Sequence, residues 1–140
     1  MEGFLKLDNQ LCFKIYASSR KITKMYRPLL DKINLTYPQY LVMLVLWETS
    51  SINVKELGEK LHLDSGTISP LVKNLELKGL IKKERNKEDE RLVNINITKD
   101  GENLKDRALE VPQMIADKKL VSLEEYEILM NILDRFMKED

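Results

Sequence analysis

The chain has 140 residues, 43% of them hydrophobic and 33% charged, which suits one folded domain with its own core and excludes a disordered segment. Its 23 basic and 23 acidic residues balance to zero, so a nucleic-acid surface has to come from where the charges sit rather than from their sum. The start, Met1-Glu2-Gly3-Phe4-Leu5-Lys6, lacks the basic flank and apolar run of a secretion signal, and the longest apolar stretch, Tyr40 to Trp47, is too short to span a bilayer. Both predict a cytoplasmic protein.

From Asp8 to about Ile33, large side chains at Leu11, Ile15, Ile22, Tyr26, Leu29 and Ile33 recur at helical spacing. Asp8 is placed to cap this helix, and Pro28 should kink it by removing the bond to the Lys24 carbonyl. Asn34-Leu35-Thr36 breaks the pattern. Thr36 then caps a second helix with Pro38 in its first turn, and the segment Tyr40 to Trp47 is apolar nearly all round, which predicts a central, buried helix. Asn53 caps a short helix that puts Val54, Leu57 and Leu61 on one face. After His62-Leu63-Asp64, a second short helix follows with Asp64 as cap and Ile68, Leu71, Val72 and Leu75 turned inward. Two short helices joined by three residues predict a helix-turn-helix. Pro70 lies a turn inside the second, where Gly66, four residues back, leaves room for the ring.

Gly79 stops that helix and the pattern changes to period two: Leu80 to Arg85, a polar turn from Asn86 to Arg91, then Leu92 to Ile97, a β-hairpin with a charged tip. Thr98 caps a further helix from about Lys99 to Lys119, interrupted near Pro112. Ser122 with Glu125 makes a capping box for a last helix carrying Leu123, Tyr126, Leu129, Met130, Leu133, Phe136 and Met137. The predicted fold is mostly α with a small β-hairpin: a winged helix-turn-helix DNA-binding domain with additional helices at both ends. Such a module lays its second helix in the major groove and its wing on the backbone or in the minor groove. Between Lys73 and Arg91 seven basic residues face five acidic ones, and Ser65, Thr67 and Ser69 open the recognition helix with short hydroxyls that suit phosphates and base edges. Composition alone leaves DNA binding and a merely solvated face equally open.

Cys12 is the only cysteine. It cannot close an internal disulfide or build a zinc site, so it is either core filler or a reactive thiol. A thiol at about the fourth or fifth helical position gains little from the helix dipole and needs further donors, which the phenols of Tyr16, Tyr26 and Tyr37 can supply. His62, the only histidine, has no ligand-spaced neighbours, and no phosphate-binding glycine loop occurs. Neither a metal nor a cofactor is expected.

Leu11-Cys12-Phe13, Tyr16, Tyr26, Thr36-Tyr37-Pro38-Gln39-Tyr40, Leu63-Asp64-Ser65-Gly66-Thr67 and Lys87-Glu88-Asp89-Glu90-Arg91 resemble, in order and spacing, the MarR family, and within it the organic hydroperoxide resistance regulators. The Asp-x-Arg wing marks the broad family, whereas the early Leu-Cys-Phe with Thr-Tyr-Pro-Gln is specific to the peroxide-sensing branch. The resemblance implies a homodimer. Residues 1–34 and 99–140 would form the dimerisation helices, and 36–98 the winged lobe, which reads one half-site of an inverted-repeat operator in double-stranded DNA. It further implies that organic hydroperoxides oxidise Cys12, that the partner subunit's Tyr26 and Tyr37 bond its thiolate with Tyr16 nearby, that Ser65, Thr67 and Ser69 touch DNA in the major groove, and that Arg91, held by Asp89, enters the minor groove; the local basic excess adds Lys73 and Lys87 to the expected DNA-binding residues. With no second cysteine, oxidised Cys12 would be capped reversibly by a low-molecular-weight thiol, close a sulfenamide with a backbone nitrogen, or over-oxidise irreversibly. The expected function is a non-enzymatic transcriptional regulator, a repressor released by oxidation. The alternatives are a regulator released by a small aromatic or phenolic ligand with Cys12 structural, and a thiol peroxidase, which lacks a resolving cysteine.

Overall fold

The computed structural model describes residues 2–138. Two 3₁₀ turns, Glu2–Leu5 and Leu7–Asn9, lead into α1 (Leu11–Asp31), followed by α2 (Tyr37–Thr49), β1 (Ser51–Asn53), α3 (Val54–Leu61), α4 (Ser65–Leu77), β2 (Ile81–Arg85), β3 (Val93–Ile97), α5 (Lys99–Ala108), α6 (Glu110–Asp117) and α7 (Leu123–Met137). Among the described residues no helix is long and apolar enough to cross a membrane.

The expected caps form at five helices. The side chains of Thr36, Asn53, Asp64 and Thr98 accept the backbone N–H of Gln39, Glu56, Thr67 and Gly101, and Ser122 and Glu125 close the capping box of α7. Each such cap contributes about 1 kcal/mol. The first helix departs from expectation. Asp8 lies in the second 3₁₀ turn rather than capping, and α1 starts at Leu11 behind Gln10, whose amide instead donates back to the carbonyls of Phe4 (2.6 Å) and Lys6 (2.9 Å). Cys12 is therefore the second helical residue, not the fourth or fifth. α1 also runs unbroken through Pro28 and ends at Asp31, since one missing bond near a helix end is made good by packing of Leu29 and Leu30 on the core.

Three strands form where the hairpin alone was expected. β3 is central, pairing antiparallel with β2 (Ile81 opposite Ile97, Arg85 opposite Val93) and with the short β1 (Ile52 opposite Ile95). Three residues are too few for a period-two signal. The helix predicted from Lys99 to Lys119 is two: Pro112 has no N–H for the Ala108 carbonyl, and the helix breaks at Leu109; α6 ends at Asp117. Gly101, in the first turn of α5, lies against the Leu80 carbonyl, where any Cβ would collide, and Gly79 holds φ +78° at the end of α4.

The core sits where α2 passes beneath the helix-turn-helix and sheet. Val42, Met43 and Leu46 of α2 meet Leu57, Ile68, Leu75, Ile81 and Ile95, with Leu30 and Val111 entering from α1 and α6. The Trp47 indole N–H donates to the Gly101 carbonyl (2.9 Å) and ties α2 to α5. Away from this core, no residue of α7 is buried, and the N-terminal half of α1 exposes Leu11, Phe13, Ile15 and Tyr16.

Candidate sensor site and nucleic-acid interface

α4 presents its hydroxyls from a rigid base. The Asp64 carboxylate accepts the Thr67 N–H at 2.8 Å, and Thr67, through its side chain and then its backbone, holds that carboxyl below the usual carboxylate range. Ser65, Ser69 and Lys73, four residues apart, form an exposed stripe along α4. Thr67 is also exposed but, at 100° per residue, stands about 200° round from Ser65 and beside its own cap. The structure thus brings three of the four expected groove residues onto one face and sets Thr67 apart.

The wing is folded by its own side chains. Asn86 Oδ1 accepts the N–H of Glu88 (2.8 Å) and Asp89 (3.2 Å), and the Asn86 N–H returns to the Leu92 carbonyl (2.8 Å). Asp89 Oδ1 accepts both the backbone N–H and Nε of Arg91 at 3.1 Å, while Oδ2 accepts a terminal guanidinium N–H at 3.3 Å. The Arg91 side chain, then its backbone N–H, lowers the Asp89 pKa. Bidentate pairing fixes the direction of a guanidinium whose side chain is still 89% exposed. Lys87 is exposed at the same tip.

Two lysines complete this face that sequence reading did not single out. Lys55, Ser69, Lys83 and Arg91 line a cleft of about 370 Å³ between α3, α4 and the wing, floored by Val54, Val72 and Val93. Glu76 on α4 accepts the Lys83 N–H at 2.8 Å and so moors β2 to the recognition helix. The only sequence signal was the basic count of the hairpin, which included Lys83. Lys55 carried none, because the fold alone brings α3 beside the wing.

The sensor residues are divided. Cys12 is exposed in the first turn of α1, where the helix dipole is strongest. Tyr16, one turn on, is 60% exposed with the Arg20 guanidinium 5.5 Å above its ring. Tyr26 and Tyr37 meet edge-on at 4.9 Å, Tyr40 lies 6.0 and 6.2 Å from them, and Trp47 lies 6.4 Å from Tyr40. Burial raises the pKa of all three phenols, that of Tyr40 to about 12, so they stay protonated donors at neutral pH. Fourteen residues of helix separate Cys12 from Tyr26, about 21 Å at 1.5 Å per residue. One chain therefore brings Tyr26 and Tyr37 together but not Cys12. Tyr40 joins the cluster unforeseen, marked beforehand only by its place in the Thr-Tyr-Pro-Gln-Tyr run. Among the described residues no group of His, Cys, Asp and Glu could hold a metal ion; His62, exposed with φ +55°, closes α3.

The profile of the transcriptional regulator SarA/Rot family matches residues 12–108. The organic hydroperoxide resistance transcriptional regulator of Bacillus subtilis is 56% identical over 111 residues, 79% of this chain and 76% of that protein. The chain belongs to the MarR-like family of transcriptional regulators. Two solved structures of one regulator in this family are informative. Reduced AbfR bound to DNA, a Staphylococcus epidermidis protein, superposes with a TM-score of 0.81 at 32% identity, over 97% of this chain and 95% of that one. The disulfide form of AbfR, equally similar in sequence, superposes at only 0.64, over 96% and 89%. This MarR-like chain has the winged-helix fold, and its α4 and wing correspond to the two DNA-reading parts of that fold.

Proposed function

We propose that this regulator is a homodimeric repressor that binds an inverted-repeat operator and lets go when an organic hydroperoxide oxidises Cys12. The observation that carries the reading is the division of the sensor: an exposed first-turn thiol about 21 Å along α1 from its own Tyr26, on a helix whose apolar flank is open. A second copy packed along α1 and α7 would cover Leu11, Ile15, Leu123, Ile128 and Phe136 and would bring the partner's Tyr26 and Tyr37 to Cys12. An open apolar surface of that extent marks an interface. Ser65, Ser69 and Lys73 then face the major groove, with Thr67 at its edge. Arg91, aimed by Asp89 and flanked by Lys87, reaches the minor groove, and Lys55 and Lys83 serve the phosphates between. Greater likeness to the DNA-bound reduced relative than to the disulfide form supports reading this conformation as the DNA-competent one.

In the chemical step the Cys12 thiolate attacks the distal peroxide oxygen. An S–O bond forms as the O–O bond breaks, and the alkoxide leaves with a proton as the alcohol. A low-molecular-weight thiol then displaces water from the sulfenic acid to give a mixed disulfide. Sulfur is oxidised by two electrons and the peroxide reduced by two. A substituent on sulfur no longer fits between the two phenols, and the winged lobes lose their spacing of about one helical turn, roughly 34 Å.

The deciding experiment is a gel-shift titration on DNA upstream of the protein's own gene, with wild type and Cys12→Ser, before and after cumene hydroperoxide plus free cysteine. Wild type released by oxidant while the serine variant stays bound supports the switch; both staying bound removes it. A second reading has its own observation: Tyr40, Leu44, Trp47, Lys105, Leu109 and Pro112 line an open cleft of about 260 Å³ between α2 and the α5–α6 break, of a size and character to take a small phenol. Release of both wild type and Cys12→Ser by such a ligand, without oxidant, would favour it.

A further inference from the structure

The corner between α1 and α2 receives two cations, one from the DNA lobe and one from α5. α1 closes with Asn34 at φ +54°, and the Leu30 and Asp31 carbonyls accept backbone N–H groups from Ile33, Leu35 and Asn34. The next free carbonyls have side-chain donors: Lys32 O accepts Arg107 from the last turn of α5, and Asn34 O accepts Lys78 Nζ from the residue that ends α4. The same ammonium donates to Gln39 Oε1 at 3.0 Å, and that oxygen also accepts the Thr36 N–H at 3.1 Å. Gln39 is 5% exposed and is the one buried polar side chain among the described residues. An ammonium at the negative end of a helix, with two oxygen partners, is a directional tether rather than a loose surface charge.

Its position gives the tether a role. Tyr37 and Gln39 occupy the first and third positions of α2, and the Tyr37 ring rests on that of Tyr26 near the end of α1. The residue that caps the C-terminal end of the recognition helix is thus hydrogen-bonded to a side chain two residues from the proposed thiolate donor. At its other flank α4 holds the wing through Glu76 and the Lys83 N–H. A displacement of the tyrosine pair therefore reaches the C-terminal end of α4 through a directional polar link beside the non-directional core packing of α2 on α4, and α4 carries the wing with it.

We propose that Lys78 is the positioning residue of the switch, transmitting displacement of the Tyr26–Tyr37 pair to the recognition helix through Gln39 and the Asn34 carbonyl. The proposal rests on the redox reading above, in which modification of Cys12 moves those tyrosines. Loss of Lys78 leaves the capping box of α2 whole, because Thr36 and Gln39 still bond each other, so the variant retains its fold.

The test compares Lys78→Met and Lys78→Arg with wild type in the full chain. DNA affinity is measured by fluorescence anisotropy over a salt series, before and after cumene hydroperoxide plus cysteine, and Cys12 oxidation is timed by dimedone trapping and mass spectrometry. In Lys78→Met the rate of Cys12 oxidation stays at the wild-type value, while the ratio of oxidised to reduced Kd falls roughly 3- to 30-fold. Lys78→Arg restores most of that ratio. A ratio unchanged in Lys78→Met, with a shallower salt slope, would make Lys78 a phosphate contact and overturn the proposal alone. A wild type that oxidant does not release overturns the redox reading, and the proposal with it.

Discussion

In the lobe of α2, α3, α4 and the sheet, Val42, Met43, Leu46, Leu57, Ile68, Leu75 and Ile95 are fully buried. Along α7, Leu123, Ile128 and Phe136 are 84%, 60% and 63% exposed. The lobe buries most of its apolar side chains and caps its helix ends within one chain. Of the terminal helices, α7 closes its N-terminal end with the capping box at Ser122 while α1 starts without a side-chain cap, and both α7 and the N-terminal half of α1 leave apolar side chains open. A DNA-reading surface has to keep its shape whatever the sensor does, so it belongs on the self-sufficient part. A switch needs a part whose packing has an alternative, and helices whose apolar faces lie open within one chain provide one.

The sharpest contrast comes from truncating one side chain in each region. Leu46→Ala should cost about 2–5 kcal/mol of unfolding free energy in urea. If it costs no more than an exposed leucine, the lobe is not the independent unit described here. Phe136→Ala should leave the lobe's far-UV spectrum and DNA fold intact yet weaken self-association by about 2 kcal/mol per subunit, read by sedimentation equilibrium; an unchanged mass distribution would take α7 out of the interface. Alkali should separate the regions too. The Tyr40 pKa, raised from 10.0 to about 12, means the folded state keeps a proton that the unfolded chain loses. Stability is therefore fully present below pH 10 and falls as pH rises toward 12, by on the order of 2 kcal/mol. Tyr40→Phe should flatten that fall in a pH series of urea midpoints, and an equally steep fall in the variant would place the titrating group elsewhere. The smallest effect is the most local: Arg91→Ala should weaken DNA binding broadly and lower the salt slope by about 0.9 for one phosphate contact, with self-association untouched.

The boundaries and caps of the lobe were legible because they are local. Asn53, Asp64, Thr98 and Ser122 each bond an N–H three residues on, within the same few residues that announce them. Gly79 and the period-two run after it located the hairpin for the same reason. Asp8 misled because Gln10 folds the chain back onto Phe4 and Lys6, a contact between residues whose types alone favour no such turn. β1 was invisible because three residues are a strand only when β3 lies alongside.

The candidate site divides along the same line. The pairing of Asp89 with Arg91, two residues apart, came with the family resemblance and is local, whereas Ser65, Thr67 and Ser69 were grouped by their hydroxyls and only the helix places Ser65 and Ser69 with Lys73 and apart from Thr67. Lys55 joining Arg91 in one cleft, Tyr40 completing the aromatic cluster and Lys78 reaching Gln39 across 39 residues depend on how helices cross, and helix crossing depends on summed side-chain packing that no short window contains. The amino-acid order alone determined helix ends, turn chemistry, the wing and the presence of a single thiol, because each rests on bonds between near neighbours. Only the tertiary structure decided that the thiol sits in the first turn of α1, remote from its own Tyr26 and Tyr37 and on an uncovered apolar face, because distance and burial are properties of the packed chain.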